Sequence, residues 1–156
     1  MKVVFDTDVM LSGLRSPGGA SRLLLIAAWE QALVPLASVG MMIEYEAVLK
    51  RVEHLMEIGI SVEDVDAFLD IWASLVEPVT PRFSYRPSIK DPDDEIFIEA
   101  AINGGADVLV TFNIKDYAPS VGANPLHGVE ILKPGELLRR MTWRPSATTL
   151  FAFPTH

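Results

Sequence analysis

The 156-residue sequence contains no cysteine. Disulfide bonds, thiolate zinc sites and a cysteine nucleophile are therefore excluded. A chain without cysteine is compatible with a reducing compartment, and we expect the protein to be cytoplasmic. The sequence has only three histidines, and they form no pattern of metal ligands. A zinc site built on imidazole is therefore not expected either.

Long apolar runs are missing as well. No stretch is long enough to cross a bilayer, and the first residues lack the basic start and the cleavage site of a signal peptide. Asp6 and Asp8 interrupt the early apolar run. We therefore expect no membrane partner.

Basic residues are scarce, because 13 Lys and Arg stand against 21 Asp and Glu and give a net charge of −8. Such a bulk charge repels nucleic acid. Activity on nucleic acid would need a local basic rim, or metal ions that neutralise the acids. Five basic residues are candidates for a phosphate contact: Arg15, Lys50, Arg51, Lys90 and Lys115. Of these we select Arg15 and Lys115. Solvated surface charge would explain any single one of the five.

The sequence does contain a regular alternation of strand and helix patterns. Strands are predicted at residues 3–5, 33–37, 106–111 and 129–132, and helices at 21–32, 38–52, 64–75, 95–103 and 134–140. Residues 12–19 and 78–92 are predicted to be irregular. The alternation is typical of an α/β fold with a parallel sheet. The length favours one domain over residues 1–141, followed by a C-terminal tail at 142–156.

Acidic and amide side chains stand at the edges of these elements. Asp6 ends the first strand, Asn113 and Asp116 follow the third, and Glu44 and Asp94 lie early in helices. Ligands of parallel α/β sheets bind beyond the carboxyl ends of the strands, so these positions can converge. Because hard divalent cations need several oxygen ligands, the pattern predicts a metal-holding acidic pocket.

Structural interpretations compete with this hypothesis. We assign Asp91 and Asp93 to stabilisation of a helix N-terminus through the helix dipole. Asn113 and Asp116 are explained equally well as turn residues after a strand. Glu44 could simply lie on an exposed helix face, although we favour a functional role.

Five segments, taken in order, resemble the PIN-domain family over about residues 1–141, in particular the single-domain prokaryotic toxins of toxin–antitoxin pairs (VapC-like). No segment is decisive alone, but the order is a strong signal. The segments are VFDTDV (4–9), EYEAVL (44–49), DPDDEIFIEAA (91–101), GADVLVTFNIKDY (105–117) and VEILKPGELL (129–138).

The resemblance implies a three-layer α/β/α fold and a ribonuclease that depends on Mg²⁺ or Mn²⁺. In this interpretation Asp6 and Asp94 hold the main ion, and Glu44 binds it through water or orients the nucleophilic water. Asn113 or Asp116 would complete the rim of the metal site. The resemblance also implies an RNA substrate, a cognate antitoxin and a homodimer, for which exposed apolar residues of the helix at 64–75 could serve.

Two positions depart from the family pattern. Asn113 stands where many relatives have aspartate, which keeps an oxygen ligand but removes a charge. Asp8 stands where asparagine is usual and adds a charge near the pocket. Thr7, Thr111 and Asp8 are expected to support the metal ligands without binding the ion themselves, with the two hydroxyls orienting carboxylates or waters. Without metal, at least one of the clustered carboxylates should have a raised pKa.

Two other functions remain open. The first is a phosphatase of the haloacid dehalogenase type, with Asp6 as nucleophile and Asp8 as general acid. In that family the metal acids follow a hydrophobic strand, whereas residues 83–90 are polar and contain proline. The second is a protein-binding module in which Asn113 has weakened a nuclease-like site.

Overall fold

The computed structural model describes residues 1–82, 95–117 and 128–147. Its strands are β1 (Lys2–Phe5), β2 (Val34–Ala37), β3 (Glu77–Pro78), β4 (Val108–Val110) and β5 (Glu130–Leu132). Its helices are α1 (Thr7–Arg15), α2 (Ala20–Trp29), α3 (Val39–Leu49), α4 (Val52–Ile58), α5 (Val62–Leu75), α6 (Glu95–Gly104) and α7 (Pro134–Arg140), with a 3₁₀ helix at Ile114–Tyr117.

The five strands form one parallel sheet in the order β3-β2-β1-β4-β5. The chain moves outward from β1 to β3, returns through α6, and continues on the other side with β4 and β5. Because parallel crossovers are right-handed, connections that run in opposite directions place their helices on opposite faces of the sheet. The structure therefore confirms the predicted α/β fold with helices flanking a central parallel sheet.

The centre of the sheet is fully apolar. Strand β4 is buried along its whole length, and β1 is buried from Val3 to Phe5. Val3 pairs with Val108 and Phe5 pairs with Val110, so the two strands end at the same level. A continuous apolar run is typical of a parallel strand covered on both faces. This register brings the residues that follow the two strands to one edge.

Side chains cap the first turns of two helices. Ser38 caps α3 by accepting a hydrogen bond from the Met41 N–H at 3.2 Å. Ser61 and Asp64 form a reciprocal capping box at the start of α5, with bonds of 3.1 and 2.9 Å. Each bond provides an acceptor for a backbone N–H at the start of a helix, which has no partner within the helix itself.

The loop predicted at residues 12–19 is wrong in its first half, because α1 continues to Arg15. The end of α1 is held by a tertiary contact, in which Arg22 of α2 donates to the carbonyls of Gly13 and Leu14. The segment at residues 78–92 is expected to be a connecting strand or loop, and strand β3, Glu77–Pro78, lies at its start. A strand of two residues leaves almost no sequence pattern.

The helix considered for dimerisation offers little apolar surface. Four of its large apolar residues are in the core, namely Val65, Phe68, Leu69 and Trp72, whereas Val62 at the start of α5 is 40% exposed. Further exposed apolar side chains lie on α3 and α4, and include Val39, Ile43 and Met56.

The start of the C-terminal tail lies against α2. The Trp143 indole donates to Glu30 at 2.8 Å, and the Ser146 N–H donates to the same carboxylate at 2.9 Å. Within the described ranges, no helix is both long enough and apolar enough to cross a bilayer.

Candidate functional site

Asp6 lies where β1 passes into α1, at the carboxyl edge of the sheet. Its backbone N–H donates to the Val110 carbonyl of β4 at 2.9 Å. Its side chain caps α1, because Oδ1 accepts the Thr7 N–H at 2.7 Å. The order of the strands reverses direction between the neighbours β1 and β4. Open parallel sheets bind their ligands beyond the carboxyl ends of the strands at such a point, and Asp6 lies there.

Two hydroxyls bind the other oxygen of Asp6. Thr111, which directly follows β4, donates to Oδ2 at 2.8 Å, and Tyr117 donates to the same oxygen at 3.1 Å. All three residues are buried. Thr111 therefore fixes a carboxylate, as its sequence position suggested. Tyr117 was missed, because nothing in the sequence shows that the last residue of a polar turn reaches back to the first strand.

Asp8 is the second acid of the site and lies in the first turn of α1. Its Oδ2 accepts the Phe112 N–H and the Asn113 side-chain amide, both at 3.1 Å, with Thr111 Oγ1 further away at 3.5 Å. Its Oδ1 is buried and has no hydrogen-bond partner among the described residues, and the same holds for Thr7 Oγ1. One side of this carboxylate is therefore satisfied and the other is not.

Burial makes the charged form of both acids unfavourable. Burial raises the pKa of Asp8 to about 7, with a further contribution from the charge of Asp6, against the opposing effect of the Phe112 N–H. Burial also raises the pKa of Asp6, and the charge of Asp116 adds to this, although the bonds from Thr111, Thr7 and Tyr117 oppose it. The raised pKa of both carboxyls agrees with the expectation for clustered carboxylates.

These features fit a divalent cation. A buried carboxylate oxygen without a partner and a neighbouring buried carboxylate both gain from a hard positive ion with oxygen ligands. Residues 1–82, 95–117 and 128–147 contain no cluster of three or more histidine or acidic side chains that could hold a metal by themselves. Mg²⁺ keeps several waters and often uses only one or two protein carboxylates.

The remaining predicted residues are placed differently. Glu44 is half-buried on α3, next to Tyr45, whose hydroxyl donates to the Phe5 carbonyl directly before Asp6. Asp116 lies in the 3₁₀ helix, near enough to Asp6 to affect its pKa. Asp94 lies outside the described residues.

The two basic candidates are separated by the structure. Lys115 is exposed in the 3₁₀ helix, between Asn113 and Tyr117 of the site. Arg15 lies at the other end of α1 from Asp6 and forms an ion pair with Glu57 at 3.6 Å. The structure therefore brings Lys115 to the site and leaves Arg15 away from it.

Comparison with known proteins gives a family and a similar fold. The PIN domain family matches residues 2–115. A search of curated proteins found no match. Among solved structures, the chain is similar to one from the crystal structure of VapBC2 from Rickettsia felis bound to a DNA fragment from their promoter. That match has a TM-score of 0.54 and 18% sequence identity, and covers 84% of this chain and 98% of the other. At this identity the likeness concerns the fold.

Proposed function

Since this chain belongs to the PIN domain family, we propose that it is a divalent-metal-dependent ribonuclease and the toxin of a toxin–antitoxin pair. The observation that supports the proposal most is the buried Asp6 beside the half-buried Asp8 at the carboxyl edge of β1 and β4. A structural role does not explain why a buried oxygen of Asp8 is left without a partner. The similarity in fold to a chain of the VapBC2 structure supports the toxin–antitoxin part of the proposal by analogy.

In the proposed mechanism Asp6 and Asp94 would hold Mg²⁺ or Mn²⁺, with Asn113 or Asp116 at the rim. A bound divalent ion would supply charge relief on the phosphoryl oxygens of RNA and favour ionised water. Thr111, Tyr117 and the Thr7 N–H hold the Asp6 carboxylate in one orientation. Glu44, from α3, would bind the ion through water or orient the attacking water.

Contacts with RNA would come from the 3₁₀ segment. Lys115 can bind a phosphate, and the neighbouring Phe112 exposes 44% of its surface beside Asp8. An exposed aromatic ring at the rim of the site is suited to stacking a base of a single strand.

The partners and location follow from the same proposal. A toxin that cleaves RNA acts in the cytoplasm and needs an antitoxin over its site. A homodimer would use the exposed apolar residues of α3, of which Val39 is 77% and Ile43 is 64% exposed. Sedimentation of the purified chain tests this: we expect a dimer that Ile43→Glu converts to a monomer, and a monomeric parent protein would contradict it.

The activity is tested with RNA cleavage by the purified, folded protein in Mg²⁺ or Mn²⁺. We expect EDTA to abolish cleavage. Asp6→Asn should lower the rate about 100-fold or more, because it weakens the binding of an ion that stabilises the charged transition state by several kcal/mol. Asp70→Asn, an exposed acid of α5, is the matched control and should cleave at the parental rate. Intact RNA with either metal would overturn the proposal for the substrates tested, as would full activity of Asp6→Asn.

A further inference from the structure

The two positions that depart from the family pattern meet in space. The Asn113 amide donates to Asp8 Oδ2 at 3.1 Å, across 105 positions of sequence. The contact depends on the pairing of β1 with β4, which brings the residues after both strands to one edge. The two departures are therefore one structural unit.

The Asn113 amide and the Asp8 carboxylate are complementary as hydrogen-bond donor and acceptor. An amide carries donors and an acceptor, whereas an ionised carboxylate only accepts. With aspartate at position 113, Asp8 would lose a donor and face another negative charge. With asparagine there, Asp8 Oδ2 receives two N–H groups, one from Asn113 and one from the Phe112 backbone. These bonds fix the plane of the carboxylate.

Fixing Oδ2 leaves Oδ1 as a buried acceptor without a hydrogen bond among the described residues. The nearby Val9 N–H favours the charged form of Asp8, but it donates to the Asp6 carbonyl at 3.0 Å. A buried oxygen in this condition is costly unless something of opposite charge meets it. Asp6, the neighbouring buried acid, makes a cation the suitable partner.

Building on the proposed nuclease site, we propose that Asp8 is a direct metal ligand through Oδ1 and that Asn113 is the residue that positions it. The carboxylate commonly found at position 113 is thereby replaced by one on α1, and the amide that remains at 113 holds it. Asp8 then has a larger role than the orientation of other ligands that its sequence position suggested.

Binding of Mn²⁺ to the chelator-treated full chain tests this without reference to catalysis. Calorimetric titration should show that Asp8→Asn weakens Mn²⁺ binding by about 100-fold. Asn113→Ala, which keeps the ligand but frees it to rotate, should weaken it about 10-fold. Asp70→Asn should bind as the parent does. Equal affinity of the parent and Asp8→Asn would overturn the inference.

The exchanged double variant Asp8→Asn/Asn113→Asp sharpens the test. It keeps the total charge and reverses the direction of the amide–carboxylate bond. It should recover at least about 10-fold of the affinity lost in Asp8→Asn, since a ligand near the ion is restored with a donor to hold it. A double variant that binds no better than Asp8→Asn would count against the coupling of the two positions.

The outcome separates this inference from the proposed function. If the parent chain binds Mn²⁺, Asp6→Asn abolishes binding and Asp8→Asn does not weaken it, only the role of Asp8 fails. If neither the parent chain nor any variant binds Mn²⁺, the proposed metal-dependent function fails first. Thermal melting of each variant without metal shows whether it is folded. If Asp8→Asn does not fold, Asn113→Ala, at an exposed position, provides a second variant for the same test.

Discussion

The two ends of α1 are built on opposite principles. At its C-terminal end, the carbonyls of Gly13 and Leu14 accept hydrogen bonds from the buried Arg22 guanidinium, and the Ser12 carbonyl accepts the Ser16 N–H. At its N-terminal end, Asp6 and Asp8 are placed together although both lose solvation there and their charges repel. One end satisfies its polar groups, and the other leaves a carboxylate oxygen unsatisfied.

This difference separates stability from function within one nine-residue helix. A buried polar group with partners stabilises the fold, whereas a buried charge without them lowers stability unless a ligand supplies the missing charge. Changes at the Arg22 end should therefore destabilise the protein. Removing a charge at the Asp6 and Asp8 end should leave the metal-free fold as stable or more stable, while metal binding falls.

The largest effect is expected for Arg22→Met, which keeps much of the side-chain volume and removes the donors to Gly13 and Leu14. Each buried carbonyl left without a partner costs about 1–3 kcal/mol, so we expect a loss of about 3 kcal/mol or more in the free energy of unfolding. Urea unfolding followed by circular dichroism measures it. The matched control is Arg15→Met, which removes only an exposed ion pair and should cost less than about 1 kcal/mol. If the two variants lost the same free energy of unfolding, the bonds from Arg22 to the C-terminal end of α1 would not be a special source of stability.

A smaller effect is expected at the contact of α1 with α2. A Cβ at Gly13 would lie 2.4 Å from Leu25 Cδ1 and 3.1 Å from its Cγ, and Leu25 is fully buried. Overpacking costs about 1–3 kcal/mol, and the better helix propensity of alanine returns about 1 kcal/mol, so Gly13→Ala should lose up to about 2 kcal/mol in the free energy of unfolding.

The coupling of Gly13 to Leu25 provides the control. Leu25→Val removes the atom that clashes, so it should cost less in the Gly13→Ala background than in the parent, as measured by a double-mutant cycle of urea unfolding. Additive costs, or a Gly13→Ala variant that is more stable than the parent, would show that α2 adjusts freely to the added methyl group.

The sequence indicates which residues lie at the site better than it indicates what they contact. Asp6, Asn113 and Thr111 could be placed at one edge because each follows an apolar strand, and parallel strands end together. The bonds from Tyr117 to Asp6 and from Asn113 to Asp8 depend on the register of β1 with β4 and on a 3₁₀ turn. Neither feature leaves a periodic pattern in the sequence.

The end of α1 shows the same limit in the fold. Ser12, Gly13 and the Ser-Pro-Gly-Gly run at residues 16–19 predict a loop by composition. The helix nevertheless extends to Arg15, because Arg22 supplies donors to its last carbonyls and Gly13 allows close packing on Leu25. Both reasons are tertiary contacts, which override local preference.

The smallest expected effect is a dependence of stability on pH at the Asp6 and Asp8 end. Without metal, burial raises the pKa of Asp8 from its ordinary value of 3.8 to about 7. The folded state therefore holds a proton that the unfolded state has released between these values, and stability should fall as pH rises from about 4 to 7. The full difference would correspond to about 4 kcal/mol, but partial exposure of Asp8 screens it, so we expect about 1 kcal/mol.

Asp8→Asn should flatten this part of the stability profile, whereas Asp70→Asn should leave its slope unchanged. Urea unfolding at pH 4.5, 5.5, 6.5 and 7.5 in the presence of EDTA measures it, with the pH values chosen to bracket the Asp8 titration. Mn²⁺ should reverse the trend in the parent chain, because a cation binds the carboxylate that a proton has left. If Asp8→Asn kept the parental slope, the unfavourable charge would have to belong to Asp6, whose Thr111, Thr7 and Tyr117 bonds all favour its ionised form. The two ends of α1 would then differ less than their hydrogen bonds indicate.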